Sequence, residues 1–123
     1  VDGGLDQARA SMLQVGRDRR PVMRAAQAMF AGEPSGEEAL AAFIGGPAGE
    51  DFYAKLYIGL FKEAEGEEAT ARCLISSAAR GAYRSSGDPM VDVARVHLKR
   101  RGWESAPLCD EKTYSPLRMS FKP

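Results

Sequence analysis

The 123-residue chain holds two cysteines, one histidine, one tryptophan and no asparagine. Two cysteines, Cys73 and Cys109, cannot build a disulfide framework or a four-ligand zinc site. The expectation is two free thiols, Cys73 in a helix interior, with a single bridge as the alternative. One histidine, His97, limits catalytic and metal options equally. Net charge is absent too, 17 Lys+Arg standing against 17 Asp+Glu. That removes the long-range attraction of a generic nucleic-acid or polybasic membrane binder. The longest uncharged run, 39–49, is eleven residues, too short to span a bilayer. Neither Met nor an apolar leader opens the chain, so the expectation is a removed targeting segment or a trimmed or disordered end. No stretch alternates with period two, which predicts no sheet.

What is present is an ordinary globular composition, 44% apolar and 28% charged, in one domain's worth of chain. Folding should remove roughly two-thirds of the unfolded surface from water. Charge is uneven: residues 33–68 hold nine acids and two bases, net −7, and residues 69–103 seven bases and two acids, net +5. Acids gathering at helix starts and bases at helix ends account for this, with a charged docking face as the alternative.

The apolar spacing predicts six helices. The first, over 5–18, is loose. The second, 21–31, opens on Pro21 and closes at Gly32. Ser35-Gly36-Glu37-Glu38 reads as a capping box for a third that carries Ala39, Leu40, Phe43 and Ile44 and stops at Gly45-Gly46-Pro47. The fourth, 50–65, is apolar over most of its circumference and should lie centrally, with Gly66 closing it. A fifth runs from Glu67 to about Ala79. The sixth begins at Asp88-Pro89, carries Met90, Val91, Val93, Ala94, Val96 and Leu98, and ends at Arg100-Arg101-Gly102. Beyond it, Pro107 and Pro116 deny helix while Leu108, Tyr114, Leu117, Met119 and Phe121 are too apolar for a solubilising tail. An extended C-terminal arm over 104–123 is expected, after a helical domain over 1–103.

The helix-closing glycines Gly32, Gly66 and Gly102 are spaced by 34 and 36 residues. Helical hairpins at that period resemble the tetratricopeptide repeat, about two and a half units of it here. In the second unit Ile58 and Gly59 fall where that family places Leu-Gly, Gly66 on the turn glycine, Ala71 and Ala78 on the small positions and Ile75 on the large apolar one. The first unit keeps Gly32, Ala39 and Phe43; the third supplies its first helix only. Lys55, Lys62 and Tyr83 replace the family's usual aromatic, Tyr and Pro. The positions that line the groove in peptide-binding members are Tyr53, Leu56 and Leu60, without the residues that clamp a peptide carboxylate. The resemblance implies an all-α fold of antiparallel hairpins.

The tract LYIGLFKEAEGEEATA from Leu56, then Ser86-Gly87-Asp88-Pro89-Met90 and the VARVHLKRRGW ending, is similar to plastid tetratricopeptide-like proteins of plants and algae. Their pattern is LYxGLYxEAxG, SGDYM and VARVHxxxRGW, with Tyr where this chain has Pro89. This resemblance implies a chloroplast and a photosynthetic setting.

Catalytic readings fare poorly. His97 lies among Arg95, Lys99, Arg100 and Arg101, which disfavour its protonation and repel a metal. The pairs Glu37-Glu38 and Glu67-Glu68 sit in helix first turns, where the free N–H groups favour acids. Cys73 with His97 lacks the context of a nucleophile. Gly45-Gly46-Pro47-Ala48-Gly49 has no following Lys-Ser/Thr and makes no phosphate cradle.

The expectation is therefore a non-catalytic scaffold, without cofactor or metal, that binds other subunits of an organellar complex and meets a membrane only through that complex. Arg95, Lys99, Arg100, Arg101 and Trp103 on the last helix, and Tyr114, Leu117, Met119 and Phe121 on the arm, are the candidate partner-binding residues. A free peptide-binding adaptor is the alternative. RNA binding through the basic cluster is a third reading, disfavoured by two and a half units and zero net charge.

Overall fold

The computed structural model describes residues 20–106 and Cys109. Five helices make up this part: α1 (Pro21–Phe30), α2 (Gly36–Ala41), α3 (Ala48–Ala64), α4 (Glu68–Arg80) and α5 (Pro89–Arg101), with a 3-10 turn, Ala82–Ser85, before α5. No strand occurs among the described residues. The expected helix over 5–18 and all of 110–123 lie outside them.

The three spaced glycines share one physical role. Gly32, Gly66 and Gly102 adopt φ of +87°, +88° and +72°, the left-handed region that a side chain disfavours. After each, the chain closes back on the helix with the same bond. Glu33 N–H donates to Ala28 O at 3.0 Å, Glu67 N–H to Lys62 O at 2.9 Å and Trp103 N–H to Leu98 O at 2.9 Å. These are Schellman caps, and they end α1, α3 and α5 alike.

The α3–α4 hairpin is the centre of the fold. Gly59, seven residues before its capping glycine, faces Leu74 and Ile75, eight and nine after it, so the helices run antiparallel. A Cβ on Gly59 would lie 2.6 Å from Ile75 Cγ1 and 3.3 Å from Leu74 Cβ. Ala71, Ile75 and Ala78 are buried on α4. Ala71→Leu should overpack this crossing and cost about 1–3 kcal/mol; an unchanged urea midpoint would refute the packing. Helix α3 also packs on α1 and α2, as its apolar circumference predicts. Phe30 meets Tyr57 and Phe61 edge-on, their ring centroids 6.3 and 5.5 Å away.

The first hairpin departs from expectation. Helix α2 ends at Ala41 instead of continuing through Ile44, and residues 43–46 form successive tight turns. Ser35 precedes it without a side-chain cap, so the capping box does not form. Ala39, expected at a packed small position, is exposed, while Leu40 is buried and Phe43 half-buried. Close approach falls instead to Gly36, whose Cα faces the Met29 and Ala28 backbone.

Three further corrections concern the core. Cys73 and Cys109 form a disulfide, Cα atoms 4.6 Å apart, rather than two free thiols. Cys109 N–H also donates to Ser77 Oγ at 2.8 Å, and Trp103 and Ala106 are buried. The packed core thus continues past residue 103. Tyr53 and Leu56, read as groove positions, are buried, and Leu60 is half-buried, because α3 is covered by its neighbours.

Candidate interaction surface

Helix α5 is held at both ends by carboxylates. At its start Asp88 is the N-cap: Oδ1 accepts from Met90 N–H at 2.9 Å. Its Oδ2 accepts from the hydroxyls of Tyr53 at 2.5 Å and Tyr83 at 2.7 Å. Burial works to raise the Asp88 carboxyl, but these hydrogen bonds outweigh it and hold it below the usual range. Burial and the bond to Asp88 push the Tyr53 phenol well up; the same bond raises Tyr83.

At the far end Glu63, on the last turn of α3, takes His97 Nε2 at 2.8 Å on one oxygen and the Arg101 guanidinium on the other. Asp88 near the start of α3 and Glu63 near its end place α5 parallel to α3. Burial lowers the His97 pKa, Arg101 adds to this, and Glu63 opposes it without prevailing.

This shift gives a pH dependence of known sign. The folded protein holds His97 neutral more firmly than the unfolded chain does, so the unfolded state binds more protons as pH falls below about 6.5. The contribution is complete above that value and is lost on acidification through the lower, folded-state pKa. Denaturant midpoints measured from pH 7.5 to 5 should fall, and His97→Gln should flatten the slope. An unaltered slope would show that His97 titrates as in the unfolded chain.

A third cluster surrounds Lys62, which is buried at the end of α3. Its ammonium lies 2.9 Å from Glu37 on α2, 3.4 Å from Glu65 and 3.5 Å from Glu67. Burial would lower its pKa, but the bond and proximity to Glu37 and the other acids win and raise it. A position read as a departure from the repeat pattern is a three-way ionic tie.

These clusters orient helices. Raised phenols resist becoming phenolates, and Cys73 is consumed in the disulfide. Among the described residues no group of three or more His, Cys, Asp or Glu side chains could hold a metal ion. No described helix is long and apolar enough to cross a membrane.

The opposite face of α5 has a different character. Val91, Ala94 and Leu98 point inward, at spacings of three and four residues. Val93 and Val96, among the apolar residues this helix carries, are each 48% exposed and are the exposed large hydrophobics among the described residues. Arg95, Lys99 and Arg100 are exposed beside them. Next to this face, between α5 and the end of α4, lies an open cleft of about 330 Å³.

The predicted partner residues therefore separate. Arg95, Lys99 and Arg100 share the outer face of α5. Arg101 is half-buried against Glu63. Trp103 is buried, its ring 6.0 Å from that of His97, so the basic cluster has no exposed tryptophan on which a base could stack. Tyr114, Leu117, Met119 and Phe121 lie outside the described residues. Two signals were available in the sequence. The residue after a capping glycine tends to pack on the helix it closes, which puts Trp103 against Leu98. The spacing 91, 94, 98 makes Val93 and Val96 the outer pair. Arg80, at the mouth of the cleft, carried no signal beyond its place on a last turn.

No family model, curated protein or solved structure matches the chain.

Proposed function

We propose that the chain is a non-catalytic helical-repeat module of tetratricopeptide type that binds protein, as a subunit or assembly factor of a larger organellar, photosynthetic complex. The observation that carries this reading is the outer face of α5, where Val93 and Val96 stand exposed between Arg95, Lys99 and Arg100. A small apolar pair rimmed by cations has the make-up of a contact surface with a polar rim. Three first helices closed by one cap geometry at near-equal spacing support the repeat. The organellar setting rests on the resemblance of the 56–103 tract alone.

The test is isolation of the native chain from its own cells, followed by cross-linking through lysine and mass spectrometry. Stoichiometric partners cross-linked at Lys99, from an organellar fraction, are the expected result. A lone monomer would overturn the reading.

A further inference from the structure

The cleft beside α5 lies where a third hairpin would place its second helix. Helix α4 meets α3 at Gly59, seven residues before the capping Gly66. The residue seven before the capping Gly102 is Arg95, and Arg95 borders the cleft with Val96 and Lys99 of α5, Ala79 and Arg80 of α4, and Glu104. Among the described residues none forms that second helix after α5: Trp103 and Ala106 turn inward, and Cys109 is tied to Cys73.

We propose that this cleft docks an acidic, amphipathic helix of a partner protein, lying where a third hairpin would place its second helix. This rests on the scaffold reading above and names the chemistry of the partner. The apolar side of the occupant would cover Val96, with Ala79 and Leu98 on the cleft wall. Its acids would meet cations that the described residues leave largely unspent. Arg95 reaches Asp92 only at 3.6 Å and the Arg84 carbonyl at 3.4 Å. Arg80 is engaged by the Glu104 backbone carbonyl, a neutral group. Lys99 and Arg100 have no acid partner among the described residues. Asp92 and Glu104 are two acids against Arg80, Arg95, Lys99 and Arg100, so the cleft and its rim carry net +2.

Side-chain size points the same way. Gly59 lets α4 lie directly on α3, whereas Arg95 at the matching position keeps an incoming helix at a distance. The intervening space must be filled by side chains, and about 330 Å³ is at the small end of ligand-sized clefts. The aliphatic stems of Arg95 and Lys99 extend the apolar floor while their heads reach for carboxylates. A second copy of this chain is a poorer occupant. Its acids at the α3–α4 turn are already committed, Glu65 and Glu67 to Lys62 and Glu68 to Arg72.

The probe is a peptide of about 18 residues, some 27 Å of helix, built of Leu, Ala and Glu with leucines at three- and four-residue spacing. Its counterpart has Lys for every Glu. Each is titrated into the ¹⁵N-labelled full chain. The acidic peptide should shift amides of residues 79–80 and 93–100, and raised salt should weaken it. Arg95→Glu combined with Lys99→Glu, both exposed, should retain the helical spectrum and bind about tenfold or more weakly. Arg24→Glu, an exposed cation on α1, should bind as the parent does. Equal binding of the Lys peptide, shifts confined to other helices, or undiminished binding by the double variant would overturn the proposal. So would concentration-dependent self-association abolished by the same variant, which would make the occupant a second copy. If the double variant still joins the native complex at full stoichiometry, the cleft assignment fails and the scaffold reading stands. A chain that co-purifies with nothing removes the scaffold reading itself.

Discussion

Gly36→Ala should lower the stability of the protein by about 3 kcal/mol or more, with a fall in melting temperature of roughly 10–20 °C. A Cβ at this position would lie 2.5 Å from both Cα and N of Met29 and 2.9 Å from the carbonyl carbon of Ala28. All three are main-chain atoms, so no change of rotamer relieves the overlap; α1 and α2 must separate. The usual gain from replacing a helical glycine with alanine, about 0.5–1 kcal/mol, is too small to compensate. Gly59→Ala is the informative comparison. There the nearest atom is Ile75 Cγ1, at 2.6 Å, which side-chain rotation and a slight helix shift can move, so the loss should be about 1–2 kcal/mol. A Gly36→Ala protein that melts with the parent would mean that α1 and α2 do not cross there.

Reduction should have an effect of similar size. Cys73 and Cys109 are 36 residues apart, and cross-linking a loop of that length removes about 3–4 kcal/mol of unfolded-chain entropy. Reductant, or Cys73→Ala with Cys109→Ala, should lower the melting temperature by roughly 10–20 °C. On the double variant reductant should have no further effect. Two thiols titrating in the unfolded, unreduced protein, or coincident melting curves with and without reductant, would remove the bridge from the structure.

The legible parts of the fold were those decided within a few residues. Asp88-Pro89 starts α5, and Gly32, Gly66 and Gly102 end α1, α3 and α5, because a cap is a local contest for backbone hydrogen bonds. The central place of α3 followed from apolar residues around most of its circumference. What escaped was non-local. Lys62 reads as a surface lysine until Glu37, 25 residues earlier, closes over it. Glu63 and His97 are 34 residues apart, and Tyr53 reaches an Asp88 that local reasoning treats only as a cap. The disulfide escaped for the same reason: two cysteines in a helical chain carry no pairing signal. At the candidate surface the cations Arg95, Lys99 and Arg100 were visible, and the outer place of Val93 and Val96 and the burial of Trp103 were signalled locally, by the 91, 94, 98 spacing and the capping Gly102, but were not read from it.

The bridge from α4 to Cys109 also alters how the chain bears load. Because Cys73 precedes α5 and Cys109 follows it, tension applied at the C-terminus passes through the sulfur atoms directly to α4. Residues 74–108, with α5 among them, sit in a closed ring that no pull on the ends can extend. Stretched to full length, the oxidised chain would be shorter than the reduced one by about 11.5–12.5 nm, 36 residue steps at ~3.3–3.6 Å each less the 4.6 Å between the bridged Cα atoms. A partner held through α5 would therefore be held by a helix outside the loaded path when the chain is pulled from its C-terminal side.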